Sequence, residues 1–145
     1  MSLFSALSVS ASGMNAQRVR AELLVENIAN AETTRTPAGG PYRRKDVVFQ
    51  SEPVASPFAG VLAEAGDGES QGVTVSDIIV DQRAPERRYM PGHPDAGPDG
   101  YVSLPRLNPA EEMVDLLGAS RGYEANVASM TSVKEMIQRS IDLLK

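Results

Sequence analysis

Cysteine is absent from the sequence, which excludes disulfides, thiolate metal sites and cysteine nucleophiles. Tryptophan is absent too, and only 5% of the 145 residues are aromatic, so a core must rely on aliphatic side chains, methionine and alanine. No run approaches the roughly 20 continuous apolar residues that a membrane-spanning helix needs. The single histidine, His93, lies in a Pro-Gly-His-Pro-Asp run, where a turn residue is favoured over a metal ligand or a general base.

Positive charge is also in short supply. The chain has 14 basic and 19 acidic residues, which gives a formal net charge of −5. General nucleic-acid binding depends on neutralising phosphates, so this balance argues against a nucleic-acid partner. The basic clusters at residues 43–45 and 87–88 are short, and both are interpreted as solvated loops or strand edges rather than phosphate sites. The N-terminus lacks the basic head and apolar run of a cleaved signal peptide, so any export must use other machinery.

The remaining polar residues form no catalytic, metal or cofactor motif. Asp95, Asp99 and Gly100 resemble the start of a calcium loop, but the spacing is wrong and the closing glutamate is missing. Glu111 and Glu112 are adjacent carboxylates, yet neighbouring positions on a helix point apart. The sequence therefore predicts a protein that is not an enzyme and that holds no cofactor.

Residues 3 to about 30 are predicted to form a helix, because they include no proline and one tolerable glycine, Gly13. Their apolar and small side chains recur at spacings of three and four, which predicts one seam along the helix for a partner helix. Residues 1–17 carry no charge, unlike a helix that faces water, so we expect protein to surround them. The seam consists of Leu7, Ala11, Met14, Ala21, Val25 and Ile28.

The middle of the chain changes character at residues 31–107, since most of the prolines and glycines lie there and exclude long helices. Residues 34–41 and 64–71 are expected to be mobile loops. Short β-like runs between turn signals make the region β-rich. They predict strands at residues 46–49, 60–63, 72–75, 78–80 and 101–104.

A second helix is predicted from residue 109 to residue 145. Asn108 is suited to cap it, Pro109 suits its first position, and Glu111 stands three residues after the cap, as in a capping box. Its charged residues lie almost entirely off a second apolar seam, in which Ser120 and Lys134 are polar breaks. That seam consists of Met113, Leu116, Tyr123, Val127, Met130, Ile137, Ile141 and Leu144.

The fold class predicted from these segments is α+β. Residues 1–33 and 108–145 are expected to pair as a coiled-coil-like hairpin and to form one discontinuous helical domain, with residues 34–107 as a β-rich middle region. The second helix alone would extend about 55 Å at ~1.5 Å per residue. A compact chain of this size has a diameter of about 38 Å, so the molecule should be elongated. Because one antiparallel pair buries only one side of each helix, the seam residues are also predicted to form subunit interfaces.

Two asparagines lie near the end of the first helix. Asparagine at a helix end can adopt the left-handed conformation and hydrogen-bond its own backbone, which explains Asn30 as a helix terminator. Two interpretations of Asn27 stay open: it is a second terminator, or it cross-links to the backbone of a neighbouring subunit. Thr33 completes this short motif.

These motifs resemble those of the flagellar rod and hook family. Residues 12–18, followed by Asn27-Ile28-Ala29-Asn30 and Thr33, are similar to the N-terminal signature of that family. The stretches that resemble its proximal rod members more specifically are residues 92–95, 99–102, 108–115 and 119–127. The motif residues that the resemblance marks are Asn27, Asn30, Thr33, Asn108, Pro109, Glu111 and Asn126.

The resemblance implies a structural subunit of the bacterial flagellar basal body. It implies export by the flagellar type III export apparatus without a cleaved signal, and assembly in the periplasm into a helical rod that transmits torque. The implied partners are copies of this chain, other rod proteins, and ring or export-gate components at the rod base, with no nucleic acid and no direct membrane span. Two alternatives are another short axial subunit of the same family and a helical type III secretion adaptor or chaperone.

Overall fold

The computed structural model describes residues 3–54 and 70–143. Within those residues there is a long helix at each end and four strands in between. In chain order the elements are α1 (Leu3–Ala29), β1 (Lys45–Pro53), β2 (Gln71–Val80), β3 (Glu86–Tyr89), β4 (Tyr101–Leu104) and α2 (Pro109–Asp142). The predicted α+β class is confirmed at this level, with small antiparallel sheets between the two helices.

The start of α2 is determined by local capping. The Oδ1 atom of Asn108 accepts a hydrogen bond from the backbone N–H of Ala110 at 3.1 Å. Pro109 takes the first helical position, where its missing N–H is no loss. Asn108 Nδ2 donates to Glu111 Oε1 at 3.1 Å, so the glutamate contacts the side chain of the cap. The predicted N-terminus is confirmed, and the 34 residues of α2 span about 51 Å.

The two helices lie side by side in antiparallel orientation. On α1, Gly13 lies against Asn126 of α2, so close that a β-carbon on the glycine would be 2.8 Å from Asn126 Oδ1. Four residues further along α1, Gln17 lies against Gly122, where a β-carbon would be 3.1 Å from Gln17 Cδ. Both glycines therefore permit a close approach of the helices. The expected helix pair is present, and its coiled-coil character stays a prediction.

The face that α1 turns to α2 is not the one that carries its predicted seam. Successive residues of a helix are rotated by about 100°, so Gly13, Gln17 and Asn27 share one face. The seam from Leu7 to Ile28 is centred roughly 110° further round the helix, and Val25 within it is 52% exposed. A search for apolar periodicity passes over the contact face because glycine and polar side chains form much of it. The buried residues of α1 are Ser10, Ala16, Leu23, Leu24 and Asn27.

Three of the predicted strands belong to a hairpin of β1 and β2. The strand predicted at residues 46–49 is confirmed as part of β1, which is longer than expected. Those predicted at 72–75 and 78–80 are two parts of the single strand β2. The antiparallel pairing begins with Lys45 opposite Val80 and continues, with one bulge, across the polar residues in the middle of β2.

This hairpin packs along a second side of α1. Close to the start of β2, the backbone N–H of Val73 donates to Ser12 Oγ at 3.0 Å. A β-carbon on Gly72 would lie 2.8 Å from the same oxygen, so glycine allows this approach. At the other end of the hairpin, the first residue of β1 is hydrogen-bonded to Asn27. α1 is therefore flanked by α2 and by the hairpin, and its predicted seam is turned away from both.

A second, smaller hairpin is formed by β3 and β4. The strand predicted at residues 101–104 is confirmed as β4, with Tyr101 opposite Tyr89 of β3. β3 is not predicted by the sequence pattern, because it is exposed along its whole length and lacks the apolar alternation of a half-buried strand. The basic residues 87–88 lie on β3, so their interpretation as a solvated strand edge is confirmed.

The connection from α1 to β1 contains a closed turn. The backbone N–H of Thr36 donates to the carbonyl of Gly40 at 2.8 Å, and that of Gly39 donates to the carbonyl of Thr36 at 2.9 Å. Gly39 and Gly40 have φ angles of 87° and 75°, which glycine adopts without strain. The mobility expected for residues 34–41 stays a prediction. The strand predicted at 60–63 lies outside the described residues, as does most of the loop predicted at 64–71.

We expect the two halves of α1 to differ in their protection against amide exchange. The C-terminal half has four buried residues, whereas the N-terminal half has one, Ser10. Local opening of the N-terminal half exposes little apolar surface, so it should require less free energy. In hydrogen–deuterium exchange of the dilute full-length chain, amides of residues 3–13 should exchange faster than those of residues 16–29. Equal protection of both halves would contradict this prediction.

Candidate functional site

A buried asparagine joins three parts of the chain. Asn27, near the end of α1, is 0% exposed. Its Nδ2 donates to the backbone carbonyl of Lys45 and to Glu112 Oε2, both at 2.8 Å. Its Oδ1 accepts from the hydroxyl of Tyr42 at 2.9 Å and from the backbone N–H of Lys45 at 3.0 Å. Both donors and both acceptor positions of this amide are therefore satisfied.

Glu112 brings a carboxylate into this junction from the first turn of α2. The residue is 2% exposed. Its Oε2 accepts from Asn27, and its Oε1 accepts from Arg44 Nε at 2.5 Å. Removing a carboxylate from water is unfavourable unless the charge is paired and hydrogen-bonded, and Arg44 provides both. The junction thus binds the start of α2 to the segment that leads into β1.

Arg44 binds two carboxylates from its position just before β1. Besides contacting Glu112, its Nη1 donates to Asp46 Oδ2 at 3.0 Å. Burial by itself would lower the pKa of Arg44, but the hydrogen bonds to Glu112 and Asp46 outweigh it and raise the pKa above its ordinary value. The solvated character predicted for residues 43–45 does not extend to Arg44, which bridges to the buried Glu112.

Tyr42 closes the junction on the side of the α1–β1 connection. The residue is buried, and its hydroxyl donates to Asn27. Burial, together with the nearby carboxylates of Glu26 and Glu112, raises the pKa of Tyr42 to about 12. Lys45 Nζ pairs with Glu26 Oε1 at 2.5 Å and lies 5.8 Å from the centre of the Tyr42 ring. The phenol is therefore held as a neutral hydrogen-bond donor.

Asn30 ends α1, as predicted. Its Nδ2 donates to the backbone carbonyl of Glu26 at 2.9 Å, and its Oδ1 accepts from Thr33 Oγ1 at 3.1 Å. Every non-glycine residue in the described ranges has a negative φ, so Asn30 acts through its side chain and not through a left-handed backbone. For Asn27, the interpretation as a second terminator requires correction. Its side chain is hydrogen-bonded to β1, Tyr42 and α2 of the same chain and not to its own helix end, whereas the cross-link to a neighbouring subunit stays a prediction.

The other motif residues have structural positions as well. Those at 108–111 form the cap of α2. Asn126 lies between the helices, where its side chain packs on Gly13 and its Nδ2 donates to the carbonyl of Gly122 at 2.8 Å. The family motif residues therefore lie in three places: the junction and the end of α1 beside it, the cap of α2, and the contact between the two helices.

Sequence reasoning does not find Glu112, Tyr42 or Arg44 as members of the junction. A signal for one of them exists in α2, because four of the positions that face α1 recur every seven residues, which is typical of a helix that packs on another helix. Only half of the members are apolar, so a search for hydrophobic periodicity passes over the repeat. Its members are Glu112, Ala119, Asn126 and Val133.

The predicted seam of α2 is only partly covered by α1. It is centred roughly 50° round the helix from the repeat that faces α1, so an apolar strip borders the contact and remains uncovered. Leu116, Met130 and Ile137 are half-buried, and Leu144 lies outside the described residues. The members exposed by between 41% and 56% are Met113, Tyr123, Val127 and Ile141. We call these four residues the α2 strip.

The predicted seam of α1 is also only partly covered. Ala11 and Val25 are exposed, whereas the other four members are half-buried. Together they are centred roughly 110° round the helix from the face that contacts α2. As members of a subunit interface, the seam residues of both helices stay a prediction.

The described residues offer no group of three or more metal-binding side chains. His93 is confirmed as a turn residue: its backbone N–H donates to the carbonyl of Met90, and its Nδ1 accepts from the N–H of Asp95, both at 3.1 Å. Neither α1 nor α2, as far as they are described, is both long and apolar enough to cross a membrane. What the arrangement provides is a rigid junction and two uncovered helix surfaces.

Comparison with known proteins identifies the class to which this architecture belongs. Residues 99–143, which include β4 and the whole of α2, match the family model described as flagellar basal body rod FlgEFG protein C-terminal. The long C-terminal helix and the strand before it are therefore those of the flagellar rod proteins.

Related proteins align with the whole chain. The flagellar basal-body rod protein FlgC of Borreliella burgdorferi is 41% identical over 100% of this chain and 99% of its own length. FlgC of Bacillus subtilis is 40% identical over 100% of both chains. FlgC of Escherichia coli O6:H1 is 36% identical over 99% of this chain and 98% of its own. The chain belongs to the FlgC family of flagellar basal-body rod proteins.

Replacing Asn27 should destabilise the fold strongly. Asn27→Ala removes hydrogen bonds to Glu112, to the Tyr42 hydroxyl and to both backbone groups of Lys45. We expect the free energy of unfolding to fall by about 2–4 kcal/mol, because a buried polar group left without a partner costs about 1–3 kcal/mol. Urea denaturation of the full-length chain measures this difference.

The matched control for that experiment is Asn15→Ala on the same helix. Asn15 is exposed, and its side chain accepts a hydrogen bond from Arg18 at 2.9 Å. Its replacement should change the free energy of unfolding by no more than about 0.5 kcal/mol. Similar losses in the two variants would mean that the junction does not hold the fold together.

The raised pKa of Tyr42 should make the fold less stable in alkali. An ordinary tyrosine has a pKa of 10.0, whereas that of folded Tyr42 is about 12. Because folding favours the neutral phenol, the stability that this group contributes is complete below pH 10 and is lost as the pH rises to about 12. Between about pH 8 and pH 12, the urea midpoint should fall more steeply for the wild-type chain than for Tyr42→Phe. Parallel curves would contradict the assignment, since the variant keeps every other titratable group.

Proposed function

We propose that this chain is a structural subunit of the bacterial flagellar basal-body rod, and that it polymerises through its terminal helices with copies of itself and with other rod proteins. The observation that carries the proposal is the α2 strip, whose four apolar side chains are each more than 40% exposed. On the surface of a monomeric protein, a helix normally presents polar side chains at most of such positions. An adjoining subunit would cover the strip.

α1 supports the proposal with a second uncovered surface. Residues 1–17 carry no charge, and Leu3 and Phe4 near the start of α1 are exposed. Val25 is exposed further along the same helix. Since α2 and the β1–β2 hairpin occupy two other sides of α1, the described part of the chain leaves this surface uncovered, and an adjoining protein chain would bury it.

The free energy available from these surfaces suits a polymer. Full burial of a large apolar side chain contributes about 1.5–3 kcal/mol, so two or three half-exposed residues in one contact supply only a few kcal/mol. One such contact is weak, because association also loses translational and rotational freedom. A subunit in a helical polymer makes several contacts at once. Weak single contacts therefore suit a protein that must stay unpolymerised until it reaches the growing rod.

The architecture also suits a part that bears load. The long antiparallel helices are tied together at one end by the Asn27–Glu112 hydrogen bond and along their length by close packing at Gly13. In the assembled rod, the helices form the inner layer around the export channel and transmit motor torque, while the hairpins face outward. The chain reaches the periplasmic part of the basal body through the flagellar type III export apparatus, without a cleaved signal. At the rod base it meets ring or export-gate components.

The full-length relationship to FlgC proteins supports this subunit over another short axial protein. A helical secretion adaptor or chaperone fits less well, because two β-hairpins lie between the helices in the described part of the chain.

The α2 strip can be tested with Val127→Asp. Val127 is 41% exposed, so an aspartate there should leave the free energy of unfolding of the monomer within about 0.5 kcal/mol of wild type. In a subunit interface the same carboxylate would be buried without a partner, which should abolish rod assembly and motility. Swimming of a strain that carries only the variant, and electron microscopy of its basal bodies, measure the effect.

The control is Ala128→Asp, one residue further along α2. Residue 128 is exposed and lies on the charged side of the helix, between Glu124 and Arg121 in one direction and Glu135 in the other. This variant introduces the same charge and should swim normally. Normal rods with Val127→Asp, or equal loss with both variants, would rule out the strip as a specific interface.

A further inference from the structure

A small cavity lies beside the start of the β1–β2 hairpin. Its volume is about 80 Å³. Its wall includes four arginines and, among the described residues that line it, one acidic side chain. The arginines are Arg43, Arg44, Arg83 and Arg106, and the acid is Asp81. Such a concentration of positive charge is unexpected in a chain whose formal net charge is −5.

Two of these arginines are already neutralised within the chain. Arg44 binds Glu112 and Asp46. Arg83 forms a bidentate ion pair with Asp81, in which Nε lies 3.0 Å from Oδ1 and Nη2 lies 2.6 Å from Oδ2. These hydrogen bonds from Arg83 lower the pKa of Asp81 to about 2, so Asp81 stays ionised and paired.

The other two form no hydrogen bond or ion pair with a carboxylate among the described residues, although the charge of Arg106 also acts on Asp81. Arg43 Nη1 donates to the backbone carbonyl of Asp81 at 3.1 Å and to Gln82 Oε1 at 3.3 Å, which fixes its position without neutralising its charge. Arg106 is exposed and forms no hydrogen bond or ion pair with residues 3–54 or 70–143. Two guanidinium groups therefore stand at the cavity with free N–H donors.

We propose that this cavity receives an aspartate or glutamate side chain of an adjoining rod subunit, which is bound by Arg43 and Arg106. The inference rests on the proposed function and adds to it a contact that lies away from the helix seams. A guanidinium group presents parallel N–H donors that match the two oxygens of a carboxylate. A space of about 80 Å³ admits a side-chain carboxyl group.

The charge of the chain favours a protein partner of this kind. With five more acidic than basic residues, a second copy has carboxylates to offer. Subunits related by a helical operation use two different patches for each contact, so a basic cavity on one copy can meet an acidic surface on the next.

The test uses Arg106→Lys in the full-length chain, carried by a strain without its own copy. The substitution keeps the positive charge and introduces an amine that a carbodiimide couples directly to a carboxylate in contact with it. After treatment of purified basal bodies, mass spectrometry should find position 106 joined to an aspartate or glutamate of another subunit. Arg35→Lys is the control, because Arg35 is exposed and lies outside the wall of the cavity. The yield at position 106 should exceed that of the control by about tenfold, a ratio that one charge-assisted contact sustains.

A charge reversal gives a second measurement. Arg106→Glu should lower the amount of the chain in purified basal bodies by about tenfold, whereas Arg35→Glu should lower it by less than about twofold. Because Arg106 is exposed and forms no hydrogen bond or ion pair with the described residues, its reversal should change the free energy of unfolding of the monomer by no more than about 0.5 kcal/mol. Retention of both variants at equal levels would overturn the inference.

The outcomes separate this inference from the proposed function. If basal bodies contain the wild-type chain but position 106 gives no more cross-linking than the control, the cavity contact is wrong and the rod subunit stands. If the wild-type chain is absent from basal bodies, the proposed function itself fails. A third outcome is that position 106 gives no cross-link, while the purified chain binds inorganic phosphate or vesicles of anionic lipid and Arg106→Glu abolishes this binding. The ligand of the cavity would then be a phosphate group and not a protein carboxylate.

Discussion

The buried amide of Asn27 constrains how the rest of the molecule is arranged. Its hydrogen bonds reach Lys45 at the start of β1, Tyr42 in the preceding connection, and Glu112 in the first turn of α2. A buried amide without these partners would destabilise the fold, so the three segments must meet in one arrangement. Moving α2 by one residue along α1 would rotate the glutamate by about 100° and break its bonds to Asn27 and Arg44. The junction therefore sets the register of the helix pair and the point at which the hairpin leaves α1.

The uncovered surfaces of the helices follow from this arrangement. From the junction, α2 and β1 both run back along α1 toward its N-terminus, which brings Asn126 to Gly13 and Val73 to Ser12. Each covers one side of α1, and the remaining side carries the predicted seam. Among the described helices and strands, α2 packs on α1 alone, so the α2 strip borders the pair instead of lying inside it. Two helices and one hairpin thus leave apolar surface that a further subunit would bury.

The sequence predicts those elements whose physical cause is local. The cap at residues 108–111 forms through contacts within three residues, and short β-like runs between turn signals are enough to predict β1, β2 and β4. The junction is beyond such reasoning, because Asn27 and Glu112 are 85 residues apart and neither has a pattern that indicates the other. The contact face of α1 is missed for another reason. Gly13 and Gln17 allow the helices to approach closely, but neither contributes to a hydrophobic periodicity.

Two kinds of contact are available to an assembling subunit, and they have different consequences. The apolar surfaces of α1 and α2 bind without strong directional preference, because hydrophobic burial depends on area. Neighbouring helices in contact only through such surfaces could slide by a turn with little loss. A carboxylate that is hydrogen-bonded to arginines can occupy only a narrow range of positions. A contact at Arg43 and Arg106 beside the hairpin would therefore fix the orientation of one subunit relative to the next. In the proposed rod, the helices would supply most of the binding free energy, and the charged cavity, away from the helix seams, would select one register among those that the seams permit.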